Sequence, residues 1–328
     1  MATAPGTTPG PPPASGPPPA SGAAPGTPPG SPPGRPDAPG GEPAGRPRSM
    51  LRRGAEVFAE NRLALVAVGV LVAITAFCFL GPLFYHADTS VVDLSAVTLP
   101  PGAGHPLGTD NDGIDELGKV MVGGQTSLEI GLAAGLIAAV IGALYGAVAG
   151  YLGGWLDALM MRVIDSFMSF PLIFLLIYLS SVYGKSKGML ILEVGLTSWF
   201  GITRLVRGEA LAIKVRDYVA ASRMMGAGGR RIVLKHILPN TIGTTIVNTT
   251  FSIADAVFAL STLSYIGLGL QAPDNDLGGM LDVGTNYAGQ GCWWMIYPPA
   301  AVIILIILSF NVIGDALRDA FETRLQKR

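Results

Sequence analysis

Charge is what this chain has least of. Asp, Glu, Lys and Arg make up 14% of its 328 residues, against 49% hydrophobic residues and a mean hydropathy of +0.46. A soluble domain of this length needs far more polar surface, so composition alone points to a membrane protein. Reactive side chains are scarce as well, with three His and two Cys. Cys78 and Cys292 lie in unlike contexts, which argues against a disulfide framework or a cysteine metal site. His86, His105 and His236 are scattered among loops, and no Ser/His/Asp or paired-His spacing suggests catalysis. No cofactor is expected, and the chain does not read as an enzyme. The formal net charge of −1 says nothing about a polyanionic partner, because the charges are segregated along the chain; no nucleic acid is expected among its partners.

Two fragments resemble binding motifs and fail on spacing. Gly184-Lys185-Ser186 ends like a phosphate-binding loop, but that loop needs a glycine five residues earlier, where Leu179 stands. Asp110-Asn111-Asp112-Gly113-Ile114-Asp115-Glu116 carries the oxygens of a calcium loop, yet its glycine comes fourth instead of sixth. A solvated acidic loop is the better reading.

Apolar sequence dominates what is present. Spanning hydrocarbon takes about 20 mainly apolar residues, and six runs qualify: Leu63 to Phe84, Leu128 to Leu152, Ala158 to Tyr183, Met189 to Val206, Thr241 to Leu270 and Trp293 to Ile313. Before them, residues 1–50 hold 17 Pro and 10 Gly with almost no bulky apolar side chains, a composition that predicts disorder. The first apolar run begins only near Leu63 with no obvious cleavage site, so the start does not read as a signal peptide. Of 22 Lys and Arg, 19 fall in the tail before the first span, the 153–162 turn, the 203–240 loop and the C-terminal tail. Lys119, Lys185 and Lys187 are left for the other side, whose two long loops hold nine acids. The positive-inside rule therefore places both termini and the 203–240 loop in the cytoplasm. In the second span Gly131, Gly135, Gly142, Gly146 and Gly150, with Ala139 between, line one helix face and predict close helix packing.

The 203–240 loop carries eight Lys or Arg against Glu209 and Asp217. Tyr218 to Met225 predicts a short helix ended by Gly226, Gly228 and Gly229, and Arg230 to Ile237 a second one that stops at Pro239. Together they form a compact knob. Ala220-Ala221-Ser222, then Gly226, then His236-Ile237-Leu238-Pro239-Asn240 resembles the coupling loop of ABC importer permeases. That consensus reads Glu-Ala-Ala, three residues, Gly, nine residues, Ile-x-Leu-Pro; here Ala220 stands at the Glu position, Ser222 at the last Ala and His236 at the Ile.

The flanks narrow the family. His105-Pro-Leu-Gly-Thr-Asp110 followed by Gly113 and Asp115 resembles the signature of the C-type permease subunit of dipeptide/oligopeptide ABC importers, with Ile114 where that family has Arg. Gly195-Leu-Thr-Ser-Trp199, Arg204-Leu-Val-Arg207-Gly208, Tyr265-Ile-Gly-Leu-Gly269 and Phe310-Asn-Val-Ile-Gly314-Asp315-Ala-Leu-Arg318-Asp319 continue the likeness, from about Asn61 to Asp319. The resemblance implies an all-α, polytopic protein of a bacterial cell membrane, with six transmembrane helices in the type I ABC importer permease fold. Its parts would be the tail 1–50, a first helix and external loop at 51–126, a permease core at 127–320 and a cytoplasmic tail at 321–328. Implied partners are a homologous second permease subunit, two P-loop ATPase subunits, an extracytoplasmic peptide-binding protein, a peptide substrate and membrane lipid. The ATPase-coupling residues would be Asp217, Tyr218, Ala220, Ala221, Ser222, Arg223, Gly226, His236, Leu238 and Pro239. The alternatives are the same role for nickel or a nickel chelate, and a membrane scaffold that moves nothing.

Four acids fall in or beside spans, where an ionised carboxylate costs about 2.5–3.5 kcal/mol and so faces protein or water. Glu129 reads as interfacial. Glu193 falls within the fourth span. Asp165, a second candidate for the pathway or for packing, is expected to pair with Arg162 at i,i+3. Asp255, among Thr249, Thr250, Ser252 and Ser261, is the candidate for lining a translocation pathway or packing against another subunit. Cys292 is expected in the external loop within reach of an impermeant thiol reagent, and Cys78 buried mid-span.

Overall fold

The computed structural model describes residues 58–87, 89 and 91–322. The tail 1–50, and most of the C-terminal tail 321–328, lie outside them. Among the described residues the chain is all-helical, and its nearest approach to a strand is a single bridge between Thr109 and Asp115. The helices are α1 Arg62–Phe84, α2 Glu116–Leu152, α3 Gly154–Met168, α4 Leu172–Tyr183, α5 Lys187–Gly195, α6 Phe200–Lys214, α7 Asp217–Met224, α8 Gly229–Ile232, α9 Leu238–Tyr265, α10 Leu277–Asn286 and α11 Tyr297–Glu322. Five continuous or nearly continuous helical stretches are long and apolar enough to cross a membrane: Arg62–Phe84, Glu116–Leu152, Lys187–Lys214, Gly229–Tyr265 and Trp293–Phe321. The bent pair α3–α4 makes a sixth if taken as one span.

The fourth and sixth spans run on past their expected ends, to Lys214 and Phe321, and three other boundaries differ from the sequence expectation for a local reason. The third span is not one helix: α3 and α4 meet at 81° across Ser169-Phe170-Pro171. Pro171 has no N–H to continue the ladder and steers Phe170 away from helical dihedrals. The second span starts at Glu116 instead of Leu128, because Asp115 caps it by accepting from the Gly118 amide at 2.8 Å. The fifth ends at Tyr265 instead of Leu270. There Gly267 turns left-handed at φ +79° while Leu268 donates back to the Leu263 carbonyl at 3.0 Å, a Schellman closure.

The glycine stripe of α2 packs as expected, against two neighbours. A Cβ on Gly135 would lie 3.3 Å from the Ile253 main chain on α9. One on Gly142 would lie 2.9 Å from the Trp199 carbonyl, on Gly146 2.5 Å from that of Thr203, and on Gly150 2.9 Å from that of Arg207. Only glycine permits this backbone approach, and in lipid such packing replaces the hydrophobic drive between helices. The N-terminal part of the stripe thus seats α9 and the C-terminal part seats α6. A second core joins α1, α2, α9 and α11 through Ile74, Cys78, Leu128, Val257, Ile306 and Phe310.

Candidate functional site

The knob is built where α6 ends. Val215 and Arg216 separate Lys214 from α7, so the two helices are nearly contiguous. One face of the knob is anchored. Val219, Ile232, Val233 and Ile237 are buried with Ala143 and Ala147 of α2 and Val206, Ala210 and Ile213 of α6. Tyr151 at the end of α2 lies beneath two cations, the Arg223 guanidinium at 5.4 Å and the Lys214 ammonium at 5.8 Å from its ring centre. Lys214 also donates to the Leu152 carbonyl at 3.3 Å.

The expected glycine stop is present. Gly226 adopts φ +83°, the Ala227 amide donates to the Ser222 carbonyl at 3.0 Å, and the Gly226 amide donates to that of Arg223 at 2.9 Å. The expected stop at Pro239 is absent. After α8 the chain takes a π-helical turn over Val233–Ile237, in which Leu238 donates to Val233, and it then continues as α9. The wider turn places Pro239 at the head of a new α-helical ladder, where its missing N–H has no partner to lose. The second half of the knob and the fifth span are therefore one rod, from Gly229 to Tyr265.

The expected coupling residues gather on this structure. Asp217, Tyr218, Ala220, Arg223, Gly226 and Pro239 are exposed, Ala221, His236 and Leu238 half-buried, and Ser222 buried. Tyr218 and His236 bring α7 to the π turn, with ring centres 5.9 Å apart. The free face carries Met224 and Met225, 83% and 82% exposed, with Arg216, Arg230, Arg231 and Lys235 around it. Two methionines held out on a capped helix make an adaptable apolar contact surface inside a cationic rim. Asp255 is elsewhere, 16 residues or about 24 Å further along the helix from Pro239, and exposed on α9.

Asp165 does not form the expected pair with Arg162. Its Oδ1 instead accepts from Arg204 Nη2 on α6 at 2.5 Å. Beside it is a bidentate pair that the sequence reading passed over: Arg207 Nε donates to Asp157 Oδ1 at 2.5 Å and Nη2 to Oδ2 at 2.6 Å, with Asp157 buried. Its signal was available in the i,i+3 spacing of Arg204 and Arg207 at a span end. Glu129 pairs with Lys187 of α5. Glu193 is buried, and neither of its oxygens has a hydrogen-bond partner among the described residues.

On the opposite side of the molecule the His105–Asp110 segment is a structural cap. Thr109 Oγ1 accepts from the Leu99 amide at 2.8 Å, and the Thr109 carbonyl accepts from Trp294 Nε1 at 3.0 Å. Asp110 takes the Asp112 and Ile114 amides on Oδ1 and the Lys119 ammonium on Oδ2, so its oxygens are committed within the fold. Asp115 Oδ2 meets Tyr85 Oη and His105 Nδ1, each at 2.9 Å. Burial and the hydrogen bond it donates to Asp115 push the Tyr85 phenol up to about 12, which keeps it a donor. Cys292 lies in the expected loop but is buried with Trp294 and Met295, so it is closed to a thiol reagent; Cys78 is buried as expected.

Comparison with known proteins gives the chain's relatives. Residues 131–327 match the family described as "Binding-protein-dependent transport system inner membrane component", and residues 49–101 match the "N-terminal TM domain of oligopeptide transport permease C". The chain is 38% identical over 268 residues to the dipeptide transport system permease protein DppC of Bacillus subtilis, covering 82% of this chain and 84% of the relative. It is 36% identical over 279 residues to the oligopeptide transport system permease protein OppC of Escherichia coli K12, covering 84% and 92%.

Proposed function

From the premise that this chain belongs to the binding-protein-dependent inner-membrane transport permeases, in their C-type peptide branch, we propose that it forms half of a translocation pathway for small peptides and takes its drive from ATPase subunits at the knob. It is a multi-pass protein of the bacterial plasma membrane and a transport component rather than an enzyme. The observation that carries the coupling role is the two-faced knob. One face is locked to α2 and α6, while the other presents Met224, Met225 and Tyr218 outward with a basic rim. A groove on each of two ATPase subunits would receive such knobs, one from this chain and one from a homologous second permease. We read this side as the cytoplasmic one, a reading that the exposed Arg and Lys of the knob support through the positive-inside rule. Delivery of peptide by an extracytoplasmic binding protein then biases one state of the bundle and nucleotide the other, which is the thermodynamic content of coupling.

The test is uptake of labelled di- and tripeptides by cells with and without the gene, together with ATP hydrolysis by the reconstituted complex. Peptide uptake lost on deletion, and ATPase activity stimulated by loaded binding protein, are the expected results. Uptake of a nickel chelate in place of peptide would overturn the cargo reading. A complex that assembles and hydrolyses ATP yet moves nothing would leave only a scaffold.

A further inference from the structure

The third span is attached to the rest of the bundle in an unusual way. Of the fifteen residues of α3, only Asp157 and Ile164 are buried, so apolar packing does little to hold it. Beyond one stacked ring pair, Phe167 on Phe200 of α6 with centres 5.8 Å apart, polar links hold it. Asp157 takes the Arg207 guanidinium on both oxygens, Asp165 takes Arg204, and Tyr145 of α2 donates to the Met160 carbonyl at 3.1 Å. The two ion pairs sit eight residues apart, about 12 Å along the α3 axis. One attachment would let α3 pivot; two fix its direction as well as its place. Both lead to α6, which runs into the knob through Val215 and Arg216. The far arm of the same span is tied elsewhere. Ser180 of α4 donates to the Leu268 carbonyl at 2.9 Å, just past the end of α9, and Leu176 packs with Leu260 and Leu263. Between the arms lie Ser169, Phe170 and Pro171, outside any helix and exposed.

We propose that the Asp157–Arg207 and Asp165–Arg204 pairs are the linkage through which the knob moves the third span, and that the break at 169–171 is the elbow where that motion is taken up. The coupling direction rests on the function proposed above. When α6 shifts with the knob, α3 follows it as one body, α4 stays with the end of α9, and the angle at the elbow changes. Arg204, Arg207, Asp157 and Asp165 are thus positioning residues for transport, none of them needing to touch cargo. A purely structural clamp would hold α3 in place but leave the ratio of transport to ATP hydrolysis unchanged.

The experiment uses the full transporter with its partner subunits in nanodiscs, with spin labels on Ser166→Cys of α3 and Ala212→Cys of α6, both exposed. In the otherwise unmodified complex the label distance should be the same with and without trapped nucleotide. With Asp165→Asn and Asp157→Asn it should broaden or shift. In parallel, Asp165→Asn or Arg204→Ala should lower peptide transported per ATP at least tenfold, and the exchange Asp165→Arg with Arg204→Asp should recover most of the loss. If Asp157→Asn fails to assemble, the half-exposed Asp165–Arg204 pair decides alone. Neutralised variants that assemble and keep the wild-type ratio would overturn the linkage, as would an exchange no better than the single changes. A complex that moves no peptide at all sinks the cargo reading, and the distance measurement, which needs none, still decides the linkage.

Discussion

At the scale of single residues, the knob turns on Gly226. A Cβ there would meet nothing within 4 Å, so its φ of +83° is the whole obstacle to substitution. Left-handed dihedrals cost an ordinary L residue about 1–2 kcal/mol, Asn less, and a β-branched residue most. The expected order of peptide-stimulated ATPase activity is therefore Gly226, then Asn, then Ala, with Gly226→Val lowest although assembled at wild-type levels. Equal stimulation in all four would show that the α7 stop does not set the docking pose. Asp255 gives a second residue-scale prediction. It is exposed on a membrane helix, so Asp255→Asn should lower transport while co-purification with partner subunits is retained. Loss of co-purification would assign it to subunit packing instead.

Among the elements, the α2–α6 contact has little tolerance for added volume. The atom a new Cβ on Gly146 would meet is the Thr203 main-chain carbonyl, which cannot rotate away, whereas on Gly81 it is the Met121 thioether at 2.7 Å, which can. Gly146→Ala should cost about 1–3 kcal/mol and lower the thermal midpoint of the solubilised protein, with Gly81→Ala close to wild type. Equal shifts would mean that α2 and α6 separate without cost. This seam was legible beforehand because a four-residue glycine period needs no partner to be noticed. The split of that stripe between α9 and α6 was not, since the partner of each glycine is a long-range fact. The same distinction explains Asp165. Its i,i+3 neighbour Arg162 is visible in the sequence, while Arg204 is 39 residues away and is brought close only by the antiparallel return of the chain. Pro239 departs from expectation for a different reason. A proline predicts an interrupted ladder correctly, but the chain has two responses, to stop or to widen by one residue, and the choice was made by Ile237 and Val233 being buried against α2 and α6.

For the molecule as a whole, the exposed break at Ser169-Phe170-Pro171 sets a condition on its surroundings. Main-chain groups freed from helical pairing do not face hydrocarbon; they are covered by protein or by water in a cavity. The chain made without a partner subunit should therefore be cleared faster in a chase experiment than the chain co-expressed with one, and equal half-lives would count against an obligate neighbour at this break. Orientation has a direct test as well. With Cys78 and Cys292 both buried, Gln290→Cys should react with an impermeant thiol reagent on intact cells and Met224→Cys only after permeabilisation. The reverse pattern would invert the topology. The π turn has one more consequence. Because Gly229–Tyr265 is a single helix, about 55 Å long, it has no joint at the membrane surface. Such a shaft passes on torque as well as thrust: under the coupling proposed above, a rotation imposed at α8 would turn the whole helix with it, so that whatever the helix borders would be dialled rather than pulled.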